Sequence, residues 1–303
     1  MTDSQLIPFA LPSGKSLEEP TLELLRQAHI AVRRGHPREC IARVEGFRSI
    51  ARAVFLKPSQ IPTLVAEGTI PLALTGEDTV IESGADVVTL ATLAYSRQTN
   101  GATRCVLFGR GEHDGDFFAK PEPEYQDYVP EIISEYPRAT EAFLKERGVN
   151  AAVIPCTGGA EALVTMSRYF FGVALVETGT SLRANNLGEI AEIFTSKTVL
   201  IANKEAMQNL ERKAQAEFLA KILTGVVEAR GKVYITMNAP VMRVEEIKKI
   251  LPSLKSPTIQ PLAEEGFCAI SSVVPTEGIN RLKQQLMLLG AEGIVEFDHS
   301  SIV

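Results

Sequence analysis

One stretch of this sequence has the residue types to hold a phosphate group. Glu177-Thr178-Gly179-Thr180-Ser181-Leu182 follows the apolar run at 172–176 and precedes a helix expected to begin near Leu187. In a Gly/Thr/Ser loop of this kind, backbone N–H groups turn toward one anion. The hydroxyls add donors, and a helix N-terminus adds partial positive charge. The same residues also suit an ordinary polar turn. A second loop, Thr157-Gly158-Gly159-Ala160-Glu161, again lies between a strand-like run and a helix start. Two such loops at neighbouring strand ends can face one crevice, where α/β folds bind ligands. Taken singly, each also fits a plain strand-to-helix turn. Pro12-Ser13-Gly14-Lys15 and Thr75-Gly76-Glu77-Asp78 carry weaker signals. Lys15 can neutralise a phosphate or stand solvated at a turn. Asp78 can help hold a metal-bound phosphate or cap a helix N-terminus.

Other chemistries find little support. The four histidines, His29, His36, His113 and His299, have no ligand spacing. Glu112-His113-Asp114-Gly115-Asp116 lacks the positions of a calcium loop and reads as solvated loop. No GxSxG, Walker A or GxGxxG pattern is present. No resident metal set and no nucleophile constellation is read from the sequence.

The elements that must position these loops follow a rhythm of strand, polar Gly loop and helix. Strands are expected at 5–11, 51–56, 70–74, 105–109, 151–155 and 172–176, each short and apolar. Ser16 and Glu19 are spaced as a capping box, opening a helix whose buried face carries Leu22, Leu25 and Ala28. Ile61, Leu64 and Val65 mark a second helix ending at Gly68, and 136–147 a charged amphipathic third. Residues 110–127 are rich in Gly, Asp, Glu and Pro and read as a long surface loop. Strands separated by helices predict α/β layers with mostly parallel pairing. After a charged helix at 211–230 the pattern changes to β-α-β-β-α-β, the order of a ferredoxin-like small domain. Its boundary is placed near Gly231.

Composition sets outer limits. A chain of 303 residues fits about two domains, or three. Lys plus Arg number 31 against 37 Asp plus Glu, so a net charge of −6 disfavours nucleic acid as the main partner. No apolar run is long enough to span a bilayer, and the opening residues do not read as a secretion signal. The four cysteines, Cys40, Cys105, Cys156 and Cys268, form no CxxC pair and read as reduced thiols in a cytoplasm.

At these loops the sequence resembles the ATP phosphoribosyltransferase family, in its long form with a C-terminal regulatory domain. The strongest match runs from Leu175 through Thr178-Gly179-Thr180-Ser181-Leu182-Arg183-Ala184-Asn185-Asn186-Leu187. Glu189-Ile190 and Leu200-Ile201-Ala202-Asn203 continue it. A second block comprises Ile61-Pro62, Val65, Gly68 and Leu74-Thr75-Gly76-Glu77-Asp78, and a third Ser134-Glu135-Tyr136-Pro137. The tail matches at Asn238-Ala239-Pro240, Ser256-Pro257-Thr258-Ile259 and Leu289-Gly290-Ala291.

The resemblance implies an α/β fold with two lobes built like a periplasmic binding protein. Residues 1–103 with 183–230 would form lobe I, 104–182 lobe II and 231–303 the ferredoxin-like regulatory domain. It implies that N1 of the ATP adenine attacks C1 of phosphoribosyl pyrophosphate and that pyrophosphate leaves with Mg2+. It implies a homo-oligomer, dimer or hexamer, with histidine as inhibitor. It places the sugar phosphate on Thr178, Gly179, Thr180, Ser181 and Leu182, and a ribose or magnesium contact on Glu161. Lys15 is a candidate for a pyrophosphate or triphosphate contact, with Gly14, Thr75, Gly76 and Asp78 in the weaker loops. This sequence departs from the family at Phe170 and Ala174, where two aspartates four residues apart usually stand, and at Glu131, usually an arginine. Pro71-Leu72-Ala73-Leu74 replaces an Asp-Leu-Gly-Ile pattern. Two alternatives stay open: a paralogue with another acceptor or phosphosugar, and a non-catalytic small-molecule-binding subunit.

Overall fold

The structure, a computed structural model, describes residues 7–14, 16–94, 103–111, 129–298 and 301–302. Two units divide the chain, Met1–Ala220 and Lys221–Val303.

The first unit opens with β1 (Phe9–Pro12), α1 (Glu18–Gln27), β2 (Ala31–Arg33), β3 (Ile41–Glu45) and β4 (Arg52–Leu56). It continues with α2 (Ile61–Ala66), β5 (Leu72–Gly76), α3 (Glu77–Ser83) and β6 (Val88–Leu93). These strands, joined later by β12 (Thr198–Ala202), form one sheet in the order β2-β3-β4-β1-β5-β12-β6. The chain then leaves to build a second sheet. Its elements are β7 (Thr103–Arg110), β8 (Glu131–Ser134), α4 (Pro137–Glu146), β9 (Ala152–Pro155), α5 (Ala160–Thr165), β10 (Phe171–Val176), α6 (Thr180–Ala184) and β11 (Leu187–Ser196). The order there is β11-β7-β10-β8-β9. The chain returns through Lys197 to β12 and α7 (Leu210–Ala229).

Pairing is mixed rather than mostly parallel. β4-β1-β5 are parallel inside the first sheet, and β10-β8-β9 are parallel out to one edge of the second. The flanking pairs β2-β3, β3-β4, β5-β12, β12-β6, β10-β7 and β11-β7 are antiparallel. β2-β3-β4 is a local meander, while at the crossings β12 returns beside β6 and β11 beside β7, antiparallel and without a helical crossover. The helix expected from Leu187 is instead β11, paired to β7 through two bulges. Residues 187–196 therefore belong with the second sheet, and the crossing back lies at Lys197 rather than at 183. The capping box is also not formed: α1 begins at Glu18 with Leu17 as N-cap and no side-chain cap. Most of the loop expected at 110–127 lies outside the described residues.

Both faces of the second sheet are apolar, as a helix-covered sheet requires. Along β7, Cys105 and Leu107 pack with Phe143 and Leu144 of α4 on one side. Val106 and Phe108 pack with Ala160, Val164 and Leu182 of α5 and α6 on the other. Burial, with the charges of Asp78, Glu82 and Glu135 adding to it, pushes the Cys105 thiol far up, so it stays protonated.

The second unit holds β13 (Lys232–Pro240), α8 (Val244–Ile250), β14 (Thr258–Pro261), β15 (Phe267–Pro275), α9 (Ile279–Leu288) and β16 (Glu292–Phe297). The sheet order β14-β15-β13-β16, antiparallel throughout, is that of a ferredoxin-like domain. Alternation along β13 and β15 sends Val233, Ile235, Met237, Ile270 and Val274 against Ile247 and Leu286 of the two helices. The chain is thus two α/β lobes followed by a ferredoxin-like tail. Among the described residues, no helix is long and apolar enough to cross a membrane.

Candidate active site

A cavity of about 470 Å³ lies where the chain crosses between the two sheets. Its walls include Lys57 and Pro58 after β4, Gly76, Asp78 and Thr79 at the β5–α3 junction, and Tyr136 before α4. Leu175 and Glu177 at the end of β10, and Ser196, Lys197 and Thr198 at the return crossing, complete the far side. Strand ends of both sheets therefore meet one hollow, the position expected of a ligand crevice in α/β folds.

The floor is a polar tie. Asp78 is buried, and both its carboxylate oxygens are engaged. Ser196 Oγ donates to Asp78 Oδ1 at 2.7 Å, and the Tyr136 hydroxyl donates to Oδ2 at 3.1 Å. Ser196 Oγ in turn accepts from the Asp78 backbone N–H at 2.9 Å. Burial and the neighbouring Asp78 charge push the Tyr136 phenol far up, so it donates throughout the physiological range. Tyr136 also stands edge-on to Phe194, 5.8 Å between centroids, which fixes the ring.

Glu177 links this cavity to the loop that follows it. Gly179, at φ +66°, sits in the left-handed region and opens α6. Thr178, Thr180 and Ser181 are exposed, while Leu182 turns inward to the apolar cluster under α6. Thr178 and Thr180 hydroxyls are 2.8 Å apart. Arg183 Nη2 donates to the Thr178 carbonyl at 2.8 Å and to Thr180 Oγ1 at 3.2 Å, bracing the loop with a cation. Ser181 Oγ donates to Glu161 of α5, so the two glycine loops meet through their side chains. Behind Glu161, Glu135 accepts a 3.4 Å bond from the Ala160 N–H. Burial first, and Glu161 in addition, push the Glu135 carboxyl above the usual glutamate range.

The expected site residues thus fall into separate groups. Thr178 through Leu182 and Glu161 come together. Gly76 and Asp78 line the cavity. Thr75 is fully buried, its hydroxyl beside those of Thr79 and the Pro58 carbonyl, so its side chain faces the protein interior. Gly14 closes the turn that leads into α1: its N–H donates to Glu18 Oε2 at 3.0 Å, and its carbonyl accepts from the Glu18 N–H. Lys15 lies outside the described residues. Lys57, Ser196 and Lys197 also line the cavity without having been singled out from sequence, and Tyr136, quoted in the third block of the family resemblance, was given no site role there. For Tyr136 the available signal was its place directly between a strand and a helix.

The departures from the family pattern acquire places. Phe170 precedes β10, about 20 Å along the strand from the Thr178 loop at its other end. Its ring lies exposed beside the Arg110 guanidinium, 5.4 Å from the centroid. Glu131 opens β8 at that same end, 3.8 Å from Arg168. Neither adjoins the glycine loops, which stand at the other end of the second sheet. Ala174 is different: it faces α5 and α6 within the apolar cluster of Val106, Val164, Val176 and Leu182. A carboxylate there would need a polar partner in that cluster.

The chain is similar to known proteins along its length. Residues 57–225 match the family HisG, ATP phosphoribosyltransferase, and residues 229–300 match the HisG C-terminal domain. An ATP phosphoribosyltransferase of Trichlorobacter lovleyi is 31% identical over 303 residues, covering 99% of this chain and 100% of the relative. One from Nitratidesulfovibrio vulgaris is 31% identical over 304 residues, covering 100% of both. Among solved structures, a chain of the Thermotoga maritima ATP phosphoribosyl transferase (HisG:HisZ) complex superposes with a TM-score of 0.58 at 22% identity, over 74% of this chain and 99% of that one.

Proposed function

This chain belongs to the ATP phosphoribosyltransferase family, and we propose that the cleft between its two sheets is where ATP meets phosphoribosyl pyrophosphate. It is a phosphoribosyltransferase of histidine biosynthesis. The single observation behind the choice of site is the joining of the two glycine loops through Ser181 and Glu161 beside the cavity that Glu177 lines.

In this reading the backbone and hydroxyls of Thr178, Gly179, Thr180 and Ser181 take the 5-phosphate, with Arg183 adding positive charge. Leu182 anchors the loop in the core. Glu161 takes a ribose hydroxyl or the magnesium that travels with the diphosphate. Lys57, Lys197 and Lys15 offer countercharge to the diphosphate and triphosphate. The adenine N1 then forms a bond to C1 as the C1–oxygen bond breaks, and pyrophosphate leaves with its electron pair as the magnesium complex. No protein nucleophile is required; the chain supplies positioning and charge neutralisation.

Lobe I and lobe II correspond to the two sheets, and the ferredoxin-like tail is assigned histidine-responsive regulation in a cytoplasmic dimer or hexamer. The chemistry is tested by mass spectrometry for phosphoribosyl-ATP, from ATP, phosphoribosyl pyrophosphate and magnesium with pyrophosphatase present. The expected result is that product at an enzyme-like rate, suppressed by added histidine. Turnover with a different base and none with ATP would reassign the acceptor.

A further inference from the structure

The buried carboxylate in the cleft floor is not accounted for by phosphate binding. Asp78 stands in the first turn of α3, attached to the seven-stranded sheet. Both groups that satisfy it come from the other lobe: Tyr136 from the β8–α4 junction and Ser196 from the last position of β11. A second carboxylate one turn on, Glu82, reaches the same neighbour. It accepts from the backbone N–H groups of Arg138 at 2.9 Å and Ala139 at 3.1 Å, in the first turn of α4. So α3 is tied to the opposite lobe on the solvent side, where Arg138 Nη1 also donates to the Ser83 carbonyl at 3.5 Å, and again in the cavity wall.

The two ties differ in what they cost. Glu82 caps an exposed helix end, an ordinary and inexpensive arrangement. Asp78 places a carboxylate in the wall of the hollow in which two polyanions are proposed to bind. Such a group is tolerated only when its oxygens are committed, and its commitments here span the lobes. Free, its charge would face the incoming phosphates. Held by two hydroxyls, it fixes the distance between the strand ends that carry the two halves of the site.

We propose that Tyr136 is a positioning residue: by donating across the cleft to Asp78, its hydroxyl sets the spacing of the two lobes at which the substrates are gripped. Ser196 is the second donor in the same device. This rests on the cleft being the phosphoribosyl-transfer site.

Tyr136→Phe removes one donor and keeps the ring against Phe194. Glu82→Gln weakens the solvent-side tie alone. In the full-length protein, Tyr136→Phe is expected to raise KM and the calorimetric Kd for phosphoribosyl pyrophosphate about tenfold, the scale of a lost hydrogen bond to a charged group. Its kcat at saturation should stay within about threefold. Glu82→Gln should lower Tm and leave KM within about twofold. If both variants lower Tm alike and neither moves KM or Kd, the tie is only structural and the proposal fails. Should Tyr136→Phe not fold, Ser196→Ala removes the other donor and carries the same expectation. The calorimetric arm needs no turnover. A wild type that binds phosphoribosyl pyrophosphate but forms no phosphoribosyl-ATP would count against the proposed reaction while the Kd comparison still decides the tie.

Discussion

Two junctions in this molecule share the pattern strand, Thr-Gly, helix, and they do opposite things. At Thr75-Gly76-Glu77-Asp78 the threonine is buried and the aspartate is consumed by Tyr136 and Ser196. At Thr178-Gly179-Thr180-Ser181 the hydroxyls stand exposed, braced by Arg183 and met by Glu161. Even the glycines are required for different reasons. Gly76 has an ordinary φ of −78°, but a Cβ there would run into Asp78 Oδ1. Gly179 has φ +66°, and a Cβ there would lie 2.9 Å from Glu189 Oε1. One glycine leaves room for a buried acceptor that holds two lobes together. The other allows the turn that leaves the Thr178, Thr180 and Ser181 hydroxyls exposed, the donors proposed for the phosphate. The pattern alone specifies a turn; what packs over the turn specifies its use.

The sharpest way to break this comparison is at Gly179. Gly179→Asp forces a side chain into the left-handed region, crowds Glu189 and places a negative charge where the phosphate is to sit. Calorimetry should find phosphoribosyl pyrophosphate affinity reduced more than about 100-fold, with the far-ultraviolet circular dichroism and oligomer mass of the wild type. Retained affinity would remove this loop from the site. The corresponding change at the other junction should act on stability instead. Gly76→Ala suits the backbone angle but pushes into a carboxylate that two hydroxyls hold in place. Overpacking of this kind costs about 2 kcal/mol, or roughly 5 °C in Tm for a unit of this size. A Gly76→Ala protein with unchanged Tm would show that Asp78 moves freely, contrary to its buried bonding.

How far the sequence could carry such distinctions depends on range. The alternation of short apolar runs with glycine loops made the α/β layers legible, and the β-α-β-β-α-β order made the tail legible. The strand β11 was not. Its two bulges, between Glu189 and Ala191 and between Glu192 and Phe194, break the period-two pattern, so Ile190, Ile193 and Phe194 imitate a helical stripe. The partners of Asp78 were equally hidden, since Tyr136 and Ser196 stand 58 and 118 residues away. Family resemblance marked Phe170 and Glu131 as altered. Only strand register shows that both lie at the end of the second sheet away from its glycine loops. Side-chain capping failed as a guide at Ser16 because the Gly14 N–H and the Glu18 carboxylate close that turn instead.

The smallest expected effect sharpens the contrast from the side of charge. Glu135 lies beneath the second glycine loop, accepting from the Ala160 N–H with Glu161 nearby. Burial raises its carboxyl above the ordinary value of 4.5, so the folded state holds the proton more tightly than the unfolded chain. The sign follows from that difference. Below 4.5 the group is protonated in both states and contributes no charge penalty. As pH rises through the raised folded value, the native state must ionise a buried group, and stability falls. Glu135→Gln keeps an acceptor for Ala160 and cannot ionise. Its Tm relative to wild type should therefore climb as pH goes from about 4.5 toward neutrality, by roughly 1–3 °C. Asp78 should show no such advantage on replacement, because Asp78→Asn loses acceptor strength for Tyr136 and Ser196 and lowers Tm at neutral pH. Opposite signs at the two carboxylates would separate one that is merely crowded from one that is held. Equal signs would mean that the two junctions differ less in their electrostatics than in their exposure.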